Sequence, residues 1–263
     1  MERRESWVEV ILQARTRTAD SPTLSELITA RAEDVRPGNA GTKMLMQAST
    51  ELRSPKTADL RKLPPLPRSF YDRDPRRVSR DLLGKLLLRR NGAKVLAGRI
   101  VEVEAYLRGN DPAAHSFVGR TLRNAVLWGP PGISYVYFIY GNHYCFNVSC
   151  LRDGVAGGVL VRALEPVVGI DDMARARGLG AADCADLRRL TSGPGRLAEA
   201  LGITRVRDNE KDLTSEKSDL WIADDGAGRP AVKTTPRIGI TKAAERPLRY
   251  IVPGNRFVSG RKG

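Results

Sequence analysis

The sequence predicts a mixed α+β fold in a single domain. Segments rich in β-branched and aromatic residues cluster between positions 86 and 164, and alternation with a period of two marks strands. Asn91-Gly92 separates two of these segments; such a pair is the strongest short hairpin signal, because it supplies positive φ at low cost. A few short helical segments with recognisable starts and stops accompany the strands, and no internal repeat is visible.

The elements follow in chain order. The ordered domain is expected to begin near Leu63-Pro-Pro-Leu-Pro67. Asp74-Pro75 fits an N-cap with proline at the first helical position, so a helix starts there and turns Val78, Leu82 and Leu83 inward. Leu86 to Arg90 and Val95 to Tyr106 read as a hairpin. Tyr135 to Tyr140 reads as a strand ended by Gly141-Asn142, with Tyr144 to Cys150 and Gly157 to Leu164 as two more. Helices are expected from Val167 to Arg177, stopped by Gly178, and from Pro194 to Leu201, stopped by Gly202. The second opens on Thr191-Ser-Gly-Pro-Gly195, which reads as an ordinary capped start before it reads as a phosphate cradle. Trp221-Ile222, Pro236 to Ile240 and Leu248 to Val252 are expected as the last strands.

Composition bounds the function. The 263 residues are 41% apolar, enough for a sizeable core, and carry 44 Lys and Arg against 30 Asp and Glu. The net charge of +14 and pI of about 10.1 favour a polyanionic partner, nucleic acid first and an anionic membrane second. Residues 1–62 hold 11 basic and 9 acidic side chains, the remainder 33 and 21, so the excess belongs to residues 63–263. The first 62 residues are expected to be a mobile extension, with Trp7, Val8, Ile11 and Leu12 forming one face of a short helix. Three cysteines, Cys145, Cys150 and Cys184, make no disulfide framework and no CxxC zinc pair. With no signal peptide or membrane span legible, an intracellular, reducing setting is expected.

The chemistry concentrates in Ile100-Val-Glu-Val-Glu-Ala-Tyr106. Alternation puts Glu102, Glu104 and Tyr106 on one face and Val101, Val103 and Ala105 on the other. Two readings stay open: a half-solvated strand with its charges in water, or two carboxylates and an aromatic lining a cleft. Tyr135, Tyr137 and Ile139 share one face of the next strand, and Val136, Phe138 and Tyr140 the other. These aromatics are either core with a polar rim or stacking platforms for bases. Tyr140, at the strand end, is best placed to protrude. His115 and His143 are the only histidines. His115, expected in a loop, makes a weak metal site on its own. No Walker loop, GxGxxG, HExxH or Gly-x-Ser-x-Gly elbow is present. Acid–base chemistry by carboxylate, beside aromatics, in a basic protein remains. A nucleobase can be worked on only outside its stack, which requires a pocket and a wedge.

At these residues the sequence resembles the alkyladenine (3-methyladenine) DNA glycosylase family, from roughly Leu63 to Ser259. Gly98-Arg-Ile-Val-Glu-Val-Glu-Ala-Tyr106, Pro112-Ala-Ala-His115 and Gly119-Arg-Thr-Leu-Arg-Asn124 carry the resemblance. So do Pro131 through Gly141 running on to Cys145-Phe-Asn147, Val159 through Pro166, Pro236-Arg-Ile-Gly-Ile240, and Pro253-Gly-Asn255 with Phe257-Val-Ser259. The resemblance implies a curved, antiparallel-rich sheet with surrounding helices, like a formyltransferase C-terminal domain. It implies a monomeric, monofunctional glycosylase, without cofactor, metal or lyase step, acting on double-stranded DNA with damaged purines. Methylated purines, hypoxanthine and ethenoadenine form the implied substrate class.

By position, Glu104 resembles the general base and Arg162 the basic residue beside it. Tyr106, His115 and Tyr137 match the aromatic pocket. Asn147 matches the residue that clashes with the guanine amino group, and Tyr140 the residue that fills the vacated stack. Arg120 and Arg123 are candidates for backbone phosphates. Leu122 and Asn142 depart from the family pattern, where proline and methionine are frequent; neither change removes a chemical group. A non-catalytic nucleic-acid-binding protein on the same fold is the alternative. A metal-dependent phosphodiesterase using Glu102 and Glu104 is a third class. Glu102 itself reads as a polar strand residue or a partner for an adjacent loop.

Overall fold

The computed structural model describes residues 60–139, 141, 143–180 and 186–260. Expectations placed on residues 1–59, Tyr140, Asn142 and Cys184 lie outside the described residues.

Strand β1 (Leu86–Asn91) pairs antiparallel with β2 (Lys94–Tyr106). Asn91 still pairs with Lys94, so the tight turn falls on Gly92 and Ala93, one residue later than the sequence suggests, with Gly92 at φ 58°. Helix α1 (Pro75–Leu82) precedes them as expected: the Asp74 side chain accepts from the Arg76 N–H at 2.8 Å, and Val78 and Leu82 are buried. Then come β3 (Ser134–Ile139), β4 (His143–Ser149), β5 (Gly158–Val168), β6 (Leu220–Ala223), β7 (Lys233–Thr235) and β8 (Arg249–Ile251). The main sheet runs β3-β4-β5-β2-β1-β6, open at both edges, and every pairing is antiparallel. β8 pairs with β2, and β7 with β8.

β2 is the structural spine. Its 13 residues pair with β5 along one edge from Ala97 to Tyr106. Along the other edge β1 covers Lys94 to Arg99, and β8 takes over at Glu102 to Glu104. Twelve of the residues from Val95 to Tyr106 are therefore out of bulk solvent or nearly so. The half-solvated reading of this strand fails for that reason: Glu102 and Glu104 are both fully buried. Val101, Val103 and Ala105 pack into the core on the opposite face.

Two expected elements are corrected. The helix foreseen from Val167 starts later, as α2 (Ile170–Ala176), because β5 continues through Val168. Val168 pairs with Ala97, and Gly169 then breaks the strand with φ 81°. The strand foreseen at Pro236 to Ile240 is a loop. β7 ends at Thr235, and the backbone that follows spends its N–H groups elsewhere, one of them on a buried carboxylate described below. The helix expected at Pro194 is present as α3 (Pro194–Ala200). His115 opens a short 3-10 turn (His115–Val118) rather than lying in plain loop. Among the described residues no helix is long and apolar enough to cross a membrane.

Gly169 carries a clear steric demand. A Cβ there would sit 2.3 Å from Leu96 Cδ2 and 3.3 Å from the Val95 carbonyl oxygen, on a backbone already in the left-handed region. Gly169→Ala is expected to destabilise the fold by at least about 1–2 kcal/mol, read as a lowered midpoint in thermal unfolding.

Candidate active site

Glu104 is held by three groups from three parts of the chain. Its Oε1 accepts the Ile238 N–H at 2.9 Å. Its Oε2 accepts the Tyr106 hydroxyl at 2.9 Å and Arg162 Nη1 at 3.2 Å. Arg162 comes from β5, where strand alternation turns it to the sheet face that carries Glu102 and Glu104. Its Nε donates to Glu102 Oε1 at 3.0 Å. Glu102 also receives Arg249 Nε at 2.7 Å and the Ser259 N–H at 2.6 Å. Glu102 is thus the loop partner that its sequence position suggested, tying β8 and the C-terminal segment to the spine. Burial alone would work against the charge of Arg162, but the Glu104 and Glu102 carboxylates overcome this and raise its pKa. Burying a lone carboxylate is strongly unfavourable, whereas burying it with a hydrogen-bonded guanidinium is tolerable.

Tyr106 links this ion cluster to a cavity. The cavity is lined by Tyr106, Ala113, Ala114, His115, Ser116, Leu127, Tyr135, Tyr137, Asn147, Gly158 and Ile240. The four residues proposed from sequence for a base pocket, Tyr106, His115, Tyr137 and Asn147, therefore converge on one space. His115 Nδ1 lies 2.8 Å from the Tyr135 hydroxyl, and its ring packs on Tyr137 with centroids 4.5 Å apart. Asn147 Nδ2 donates to the Tyr135 carbonyl oxygen at 3.1 Å. The loop that delivers His115 is folded by Asn124, whose side chain donates to the carbonyl oxygens of His115 and Gly119, both at 2.9 Å.

The cavity walls hold no net charge of their own. Burial raises the phenol pKa of Tyr106, with the Glu104 charge adding to it. Burial likewise raises Tyr137, and pushes the Cys145 thiol behind it to about 11. Partial burial, then the positive charge of Arg123, lowers His115 below its ordinary 6.5. The walls are therefore neutral aromatic surfaces at pH 7.

Sequence reading missed the support behind Tyr106. Arg237 makes a two-pronged pair with Asp111, Nη1 to Oδ2 at 2.6 Å and Nη2 to Oδ1 at 2.7 Å, with neither side chain exposed. Its guanidinium lies 4.7 Å from the centroid of the Tyr106 ring. Asp111 also accepts the N–H groups of Leu107 and Ala113. One pair thus fixes the Tyr106 ring, the start of the His115 loop and the segment carrying Ile238. The only sequence signal was that Arg237 lies within, and Asp111 directly before, segments already singled out; nothing marked them as partners.

Arg120 and Arg123 are exposed on the loop after His115. Arg123 lies over the Tyr137 ring at 5.9 Å, at the cavity rather than remote from it. The same loop exposes Phe117, Val118 and the whole of Leu122.

The methylpurine-DNA glycosylase family model matches residues 69–256. A protein of Koribacter versatilis named "Putative 3-methyladenine DNA glycosylase" is 63% identical over 205 residues, covering 78% of this chain and 98% of its own. Proteins of the same name from Burkholderia lata and Methanoculleus marisnigri are each 48% identical, covering 74% of this chain and 91% and 99% of their own. This chain belongs to the methylpurine-DNA glycosylase family. The resemblance drawn from the motifs is borne out at that level. The matched region of this DNA glycosylase spans every residue of the ion cluster except Ser259, and the whole cavity lining.

Three outcomes follow from this geometry. Arg237→Ala leaves Asp111 buried and unpaired, and is expected to cost about 3–5 kcal/mol of stability in denaturant unfolding. In NMR titrations the His115 imidazole is expected to protonate at a pH below 6.5. Arg123→Gln removes a repelling charge and should move that midpoint upward.

Proposed function

We propose that this glycosylase flips alkylated or deaminated purines out of duplex DNA and hydrolyses their N-glycosidic bond. The observation that carries the reading is a fully buried carboxylate, Glu104, hydrogen-bonded to an aromatic residue that lines a neutral cavity. Glu104 acts as general base. An ionised carboxylate has about four acceptor positions; Ile238, Tyr106 and Arg162 take three, leaving one on Oε1 for water. That water gives its proton to Glu104 as its oxygen bonds to the anomeric carbon. The bond from that carbon to the purine nitrogen breaks, and its electron pair leaves with the base.

Tyr106, on one side, and His115 with Tyr137, on the other, sandwich the extruded purine, and Asn147 excludes the guanine amino group. Tyr140, outside the described residues, fills the gap left in the stack. Arg120 and Arg123 sit on the loop that faces the DNA backbone. Cationic methylated purines gain from stacking on these rings. Neutral lesions such as hypoxanthine and ethenoadenine rely on easier unpairing and on a proton delivered to the leaving purine. No lysine lines the cavity, which supports a monofunctional enzyme without a lyase step. The metal-dependent alternative is disfavoured because Arg162 occupies the position between Glu102 and Glu104 that a cation would need. Residues 63–263 form the catalytic domain, acting as a monomer without a cofactor, and the mixed antiparallel sheet supports a formyltransferase-like architecture for it.

The test uses duplexes each holding one lesion, incubated with the protein in EDTA and then treated with alkali. Strand breaks that require alkali, depend on the lesion and vanish in Glu104→Gln are expected. Tight binding with no base released from any duplex would instead establish a non-catalytic DNA binder.

A further inference from the structure

Glu102 has no part in the chemistry proposed above, yet it is as deeply buried as Glu104. It lies two residues earlier on β2, at an irregularity in the pairing with β5 that falls on both sides of it. A bulge of this kind re-aims a side chain. Three donors hold its carboxylate: Oε1 accepts Arg162 Nε and Arg249 Nε, and Oε2 accepts the Ser259 N–H. A guanidinium is planar and rigid, so anchoring Nε fixes the direction of its other nitrogens. With Nε on Glu102, Nη1 lies 3.2 Å from Glu104 Oε2.

We propose that Glu102 is a positioning residue for the reaction: it anchors Arg162 so that Nη1 faces the Glu104 carboxylate, and Arg249 and Ser259 hold Glu102 in place. This role rests on the glycosylase reading above. The groups around Glu104 make it testable. Glu102 and Tyr106 flank it on its own strand, Cys145 comes from β4, Arg162 from β5, Arg249 from β8, and Arg237 with its partner Asp111 from the loops. Arg162 divides one positive charge between two carboxylates. Removing the charge of Glu102 loosens its hold on Arg162, and it takes a like charge away from Glu104 and so favours the ionised base. Removing Arg249 leaves Glu102 drawing on Arg162 alone and disfavours it.

The experiment measures single-turnover base release against pH for the full chain, on a duplex whose lesion the wild type releases, with DNA affinity and melting temperature alongside. Glu102→Gln preserves shape. It is expected to shift the acid limb down by roughly one unit and lower the maximal rate about tenfold, with lesion-duplex affinity unchanged. Arg249→Gln is expected to shift the same limb upward, and it carries the test alone if Glu102→Gln fails to fold. A merely structural pair would lower the melting temperature and leave the maximal rate at the wild-type value. That result, or shifts in the same direction, overturns the proposal while the glycosylase reading stands. A wild type that releases no base from any lesion duplex overturns both.

Discussion

Glu102 and Glu104 project from one strand face into the protein interior, and most of the architecture around them serves that single arrangement. Two carboxylates separated by one residue repel each other and lose their hydration on burial. The fold resolves this by inserting the Arg162 guanidinium between them and adding Arg249 beyond Glu102. Two guanidinium groups then face two carboxylates, and further acceptor positions take the Tyr106 hydroxyl and backbone N–H groups from Ile238 and Ser259. The cluster is neutral in sum and nearly saturated, which is what allows it to be buried at all.

That requirement accounts for features of the topology that would otherwise look arbitrary. β2 is long because one stretch pairs with β1 while a later stretch admits β8, the strand that carries Arg249. The chain after β7 leaves the sheet because Ile238 must turn its N–H to Glu104 instead of to a neighbouring strand. The C-terminal segment returns to β2 because the Ser259 N–H and carbonyl oxygen meet Glu102 and Arg249. Segments from the middle and the C-terminal end of the described chain therefore close on the same few atoms. Damage to any one of them propagates to the Glu104 carboxylate, which lies behind the cavity-lining Tyr106.

The legible part of this design was local. Alternation alone placed Glu102, Glu104 and Tyr106 on one face, and cap and turn chemistry located α1 and the β1–β2 hairpin to within a residue. The family motifs then gathered His115, Tyr137 and Asn147 with them, and these three side chains line one cavity with Tyr106. The illegible part was long-range. Asp111 and Arg237 are 126 residues apart, and no spacing rule relates them. Ile238 contributes only its backbone, so its side-chain type carried no sign of the contact, and an apolar alternating stretch there read as a strand. The helix after β5 was placed early because Val167 and Val168 suit either state. The sheet partner Ala97, and Gly169 with its positive φ, decided the matter.

The division between charge and neutrality at the site also follows from where side chains can find partners. Every ionised group near Glu104 has its counter-charge within hydrogen-bonding reach, so little field escapes into the cavity. The aromatic walls remain uncharged because burial opposes ionisation of Tyr106 and Tyr137 and protonation of His115. The two regions meet at a single hydrogen bond, Tyr106 to Glu104. Arg237 stacks against the Tyr106 ring, and its pair with Asp111 keeps that ring from swinging. A planar guest entering between the aromatic walls would thus meet surfaces that select by shape and stacking. Only beyond Tyr106 would it reach a group able to take a proton. The aromatic walls and the buried carboxylate are kept apart by one side chain, and the deeply buried salt bridge behind that side chain is the physical reason they stay apart.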